Sequence, residues 1–114
     1  MELQRIAAFS INRSGGNPAG VAFCDQMPAE VDMLRIAKEV GYSETAFLVP
    51  VDKDWRVRYF APAQEVPFCG HATIANGAAL GARYGEGTCT LTLNTGSVTV
   101  EAIQSEDGTW SAAL

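Results

Sequence analysis

The sequence predicts an α+β domain in which a mostly antiparallel, curled sheet wraps around one central buried helix. Three observations lead there. Candidate strands and helices run in the order strands, helix, strands, apolar helix, strands. Residues 70–84 are built from Ala, Gly, Ile and Leu with almost no polar face, which suits a helix covered on all sides. The segments on either side of it alternate apolar and polar residues with the period of a strand.

Taken in order, residues 3–10 read as a strand. Residues 12–20 contain Gly15, Gly16, Pro18 and Gly20 and read as a shaped loop, with a short apolar strand over 21–24. A helix is expected from Pro28, whose missing N–H costs little in a first turn, to about Val40. Val31, Leu34, Ile36, Ala37 and Val40 supply its apolar stripe and Gly41 its stop. Residues 45–49 are a strand with Ser43-Glu44 at its mouth. In residues 55–61, Trp55, Val57 and Tyr59 face one side, while Arg56 and Arg58 face the other and should be solvated. Pro62 and Pro67 bracket an irregular loop. Gly85 closes the helix of 70–84. Residues 88–93 and 98–103 form a hairpin around Asn94-Thr95-Gly96-Ser97, and Asp107-Gly108 turns the chain into a last strand at 109–114. Cys24 and Cys89 read as strand core, Trp55 and Trp110 as packing or interface.

A chain of 114 residues fits one domain, and 47% hydrophobic with 18% charged residues is the composition of a globular protein. With a net charge of −5 and eight scattered Lys and Arg, neither nucleic acid nor an anionic membrane is a fitting partner. No apolar run approaches the roughly 18–20 residues that span a bilayer. The first five residues lack the features of a secretion signal. Three cysteines without zinc spacing point to reduced thiols and a cytoplasmic setting.

Chemistry concentrates in residues 65–77, which hold the only histidine, His71, beside Cys69 and Gly70. A thiol, an imidazole and the free N–H groups of a helix start lie within one turn, equipment for holding a carboxylate or enolate. Gly70, His71 and Ala72 are therefore candidate substrate contacts. His71 could instead cap its own helix. No metal site is expected, since no second His or Cys pair accompanies His71. Cys69 at a helix N-terminus should favour its thiolate, against the weightier alternative of a buried structural cysteine. Glu44, between Tyr42 and Phe47, is either a solvated glutamate at a strand entrance or a desolvated acid/base whose pKa is raised toward proton transfer. Asn17 either lines a crevice or serves a turn.

Four segments in this order, Gly16-Asn17-Pro18-Ala19-Gly20-Val21, Ser43-Glu44-Thr45-Ala46-Phe47-Leu48, Arg58-Tyr59-Phe60-Ala61-Pro62 and Glu65-Val66-Pro67-Phe68-Cys69-Gly70-His71-Ala72-Thr73, resemble the phenazine-biosynthesis (PhzF-like) isomerase family. That family shares its fold with diaminopimelate epimerase and proline racemase. The resemblance implies a diaminopimelate epimerase-like fold and cofactor-independent proton transfer at carbon of a small carboxylate. It implies that Glu44 is the acid/base, that His71 binds or polarises the substrate, and that Asn17 lines the crevice. In the epimerase and racemase relatives the cysteine at the place of Cys69 is the catalytic base. Family members have two such domains around a crevice. Residues 1–114 resemble the first alone, so a single N-terminal-type domain is expected, with the second absent. A homodimer is the expected remedy. Val66 stands where the second domain would carry its Asp, so a dimer would set two Cys69 thiols or two Glu44 carboxylates across the crevice. A remnant that binds without catalysis, or one chain of a split enzyme, are the competing readings.

Overall fold

The computed structural model describes residues 2–8, 17–42 and 44–113. The elements are β1 (Glu2–Ala8), β2 (Asn17–Phe23), α1 (Glu30–Val40), β3 (Glu44–Val51), β4 (Asp54–Phe60), β5 (Glu65–Val66), α2 (Gly70–Tyr84), β6 (Gly87–Thr92), β7 (Ser97–Gln104) and β8 (Trp110–Ala113). All strands join one sheet in the order β1-β2-β3-β4-β6-β7-β8, with β5 paired to β4. Only β2/β3 and β4/β6 are parallel, and a helix lies between the members of each pair in sequence, the crossover that parallel pairing demands. The fold is the expected α+β arrangement, a curled mixed sheet with one helix held inside it.

Strand alternation sends residues to two cores. Val21, Ala46, Leu48, Val57, Tyr59, Leu91 and Val100 pack against Ala72, Ala75, Ala79 and Leu80 of α2. Ala22, Phe47 and Phe60 point the opposite way and meet Met33, Ile36 and Ala37 of α1. Helix α2 has the bounds expected from sequence, and its glycines explain how it fits inside. A Cβ on Gly77 would lie 2.6 Å from Val100 Cγ2, and one on Gly81 would lie 2.5 Å from the Trp110 ring and 2.8 Å from Ala102 Cβ.

Several expectations need correction. Residues 17–20 are strand, not loop: β2 begins at Asn17, because a Cβ on Gly20 would sit 2.9 Å from Thr45 Oγ1 and only glycine lets β2 lie so close to β3. The rest of the expected loop, residues 12–16, and Ser43 lie outside the described residues. Pro28 precedes α1, whose N-cap is Ala29. Val31 is exposed, since it sits about 200° around the helix from Met33, the residue that does fill the core. The loop between Pro62 and Pro67 contains β5. The last turn of α2 emerges from the sheet, leaving Tyr84 exposed. Arg58 is not solvated: it is bound through two nitrogens to Glu65, at 2.7 and 2.8 Å.

Candidate active site

Glu44 is the first residue of β3 and lies opposite Ala19 of β2, so its side chain emerges on the α2 face of the sheet. Cys69 is the N-cap of α2 and His71 lies in the first turn. The fold brings all three together. Glu44 Oε2 is 3.1 Å from His71 Nε2, and both side chains are less than a fifth exposed, at 19% and 17%. The two atoms are in contact, yet Glu44 Oε2 is buried without a hydrogen bond. Cys69 Sγ is 3.3 Å from His71 Nδ1 and 3.9 Å from Nε2. His71 therefore faces Glu44 and Cys69.

The electrostatics of Cys69 side with the buried cysteine among its two readings. Burial and then the neighbouring Glu44 carboxylate raise its pKa, and the Ala72 and His71 N–H groups only partly counter them. The helix N-terminus alone favours a thiolate. Here burial, joined by the carboxylate beside it, outweighs that effect and favours the thiol. It is suited to giving a proton, while Glu44 is the group able to accept one. Ala72 is fully buried, which limits it to its backbone N–H. Gly70 has an open face: an added Cβ would meet only the Phe68 ring, at 4.0 Å. Asn17 starts β2 opposite Ala8, and its side chain lies outside the described residues.

Behind this cluster runs a buried hydrogen-bond chain that sequence reading missed. Asn76 Nδ2 donates to Tyr59 Oη at 3.2 Å, Tyr59 Oη pairs with Thr73 Oγ1 at 2.5 Å, and Thr73 Oγ1 donates to the Cys69 carbonyl at 2.8 Å. The chain anchors the residue that opens α2. Burial pushes the Tyr59 phenol up to about 12. The available signal was Thr73 and Asn76, polar residues inside an apolar helix at spacings that share a face with Cys69.

A second support holds the approach to α2. Arg58 grips Glu65, Asn94 Nδ2 donates to Glu65 Oε2 at 2.7 Å, and Arg56 bonds Asn94. The Arg58 hydrogen bonds, aided by Asn94, hold the Glu65 carboxyl below its ordinary pKa against the effect of burial. A hollow of about 380 Å³ lies near the other end of α2, lined by Trp55, Leu80, Tyr84, Cys89 and Val100 among others, and it shares no residue with Glu44, Cys69 or His71.

A curled sheet around a small-residue helix, with a carboxylate, a thiol and an imidazole at that helix's start, defines a domain of the epimerase-like fold. Residues 6–113 match the family model described as phenazine biosynthesis-like protein (PhzC-PhzF), and the chain belongs to that family. The uncharacterized isomerase YddE of Escherichia coli K12 is 44% identical over 91 residues, covering 79% of this chain and 31% of that protein. The human phenazine biosynthesis-like domain-containing protein is 39% identical over 109 residues, covering 89% of this chain and 38% of its own. The chain thus spans about a third of the length of these relatives. Among solved structures, a PhzF-family protein from Enterococcus faecalis aligns with a TM-score of 0.80 at 34% identity, over 91% of this chain and 40% of that one. A predicted epimerase from Pseudomonas aeruginosa aligns with a TM-score of 0.88 at 26% identity, over 96% and 40%.

Proposed function

We propose that this chain carries half of the site of a cofactor-independent isomerase or epimerase that moves a proton on and off carbon in a small carboxylate. The observation that supports it is the 3.1 Å approach of Glu44 Oε2 to His71 Nε2 at the open N-terminus of α2. Glu44 takes the proton from the carbon. The electron pair left behind moves onto the adjacent carbonyl or carboxylate oxygen as an enolate. In this reading the Gly70 amide and His71 stabilise that charge, as donors at a helix start do. The proton returns from Glu44 to another carbon, which is net isomerisation, or an acid on the facing wall delivers one to the opposite face of the same carbon while Glu44 keeps the first, which is epimerisation. Only an acid and a base are needed.

The second wall of the site, in this reading, is a second copy of the chain. Phe68, exposed beside Cys69, offers apolar surface for it. The names of the relatives, an isomerase and a predicted epimerase, favour the same chemistry. The test is deuterium uptake from heavy water at the α-carbon of small amino and hydroxy acids. Wild type should exchange at least one of them, and Glu44→Gln should lose about 10²–10⁴-fold in rate, the usual weight of a general base. Absence of exchange in both proteins would reject the enzyme in favour of a binding domain or one chain of a split enzyme.

A further inference from the structure

We infer that Glu44, Cys69 and His71 together form a capture site for a thiophilic divalent cation, Zn²⁺ above all. One donor atom from each of the three side chains lies within 4.8 Å of the other two. Zinc bonds of roughly 2.0–2.3 Å arranged tetrahedrally require donor–donor edges of about 3.3–3.6 Å. The observed His71 Nε2–Glu44 Oε2 and His71 Nε2–Cys69 Sγ separations, 3.1 and 3.9 Å, bracket that range. The third edge, from Cys69 Sγ to the Glu44 carboxylate, is within 4.8 Å.

The donor set has its own selectivity. A thiolate with an imidazole favours zinc-like ions over Mg²⁺ or Ca²⁺, which prefer oxygen alone. Three protein donors leave the fourth tetrahedral position for water or a ligand. The donors are also held in place: Asn76, Tyr59 and Thr73 anchor Cys69 through its carbonyl, and β3 fixes Glu44. Glu44 Oε2, buried without a hydrogen bond, is an acceptor that a cation would satisfy. On binding, the Cys69 thiol gives its proton to solvent and its sulfur becomes a ligand. The consequence, which rests on the proton-transfer reading above, is inhibition: the metal occupies base, thiol and imidazole at once.

The test is titration of the chelator-treated 114-residue chain with Zn²⁺ by calorimetry and with Co²⁺ by absorbance, in the absence of substrate. One ion per chain should bind, with a thiolate-to-cobalt charge-transfer band that disappears in Cys69→Ser. His71→Gln and Glu44→Gln should each weaken Zn²⁺ at least about tenfold, the scale on which metal sites respond to loss of support. Cys89→Ser should leave binding unchanged, and excess Mg²⁺ should not displace cobalt. Should Cys69→Ser melt early without metal, His71→Gln carries the comparison. Lack of saturable one-to-one binding, or a thiolate band that survives Cys69→Ser, would overturn the site. No substrate is present, so this result and deuterium uptake fail independently.

Discussion

At the scale of residues, the site depends on what stands beside what, and only part of that can be read along the chain. Cys69 and His71 are near neighbours in sequence, so their meeting at a helix start was legible. Glu44 lies at the start of β3, far off in sequence; its apolar neighbours left two readings open, and only resemblance tied it to the other two. Burial first, and Glu44 after it, raise the pKa of the Cys69 thiol. The chain from Asn76 through Tyr59 and Thr73 was invisible for a related reason: which buried hydroxyls meet depends on sheet register. Tyr59→Phe removes the Oη that links Asn76 to Thr73 and leaves buried polar groups short of partners, at a cost of about 1–3 kcal/mol in urea unfolding. The pH dependence follows from the same phenol. Unfolded, Tyr59 ionises at its ordinary 10.0; folded, it does so at about 12. The folded state therefore retains a proton that the unfolded state releases, and stability falls as pH rises through that interval. Urea midpoints measured across it should fall more steeply for wild type than for Tyr59→Phe.

At the scale of elements, small apolar composition and the closing Gly85 located α2 at Gly70–Tyr84, whereas features set by neighbouring elements stayed hidden. Val31 looked like part of the α1 stripe because it is apolar, but the helix turns Met33 inward instead. Gly20 looked like a loop residue, yet it is the close contact of two paired strands. The glycines of α2 give a test in which two effects oppose. Gly81→Ala gains about 1 kcal/mol of helix propensity. The new methyl would meet Trp110 at 2.5 Å and Ala102 at 2.8 Å, and overpacking of this kind costs about 1–3 kcal/mol with part of it in shifted backbone. The net effect should be destabilising, read as a lower melting temperature. The Arg58–Glu65 tie gives a second test. Glu65 has a lowered folded pKa, so its stabilisation is present above the ordinary carboxylate value of 4.5 and is lost as pH falls through the folded one. Glu65→Gln should therefore flatten the acid side of the stability profile below that value, with little change near neutrality in that slope.

At the scale of the whole molecule, an exposed aromatic beside the site and the open sheet edges among the described residues raise the same question of association. Among the described residues, the outer edges of β1 and β8 have no strand partner. No helix among those residues is long and apolar enough to cross a membrane. Phe68 stands 42% exposed immediately before Cys69, with its ring edge-on to Tyr59 at 6.2 Å. An aromatic side chain left in water beside the Glu44, Cys69 and His71 cluster is the kind of surface that a second copy would cover, at roughly 25 cal/mol per Å² of apolar area removed from water. Phe68→Lys should then shift the native mass from dimer to monomer at micromolar concentration and lower deuterium exchange in parallel. Val51→Lys, at an exposed apolar residue away from the cluster, should change neither. A wild-type chain that stays a lone subunit on dilution and still exchanges substrate would show that one copy suffices, and that Phe68 faces water for another reason.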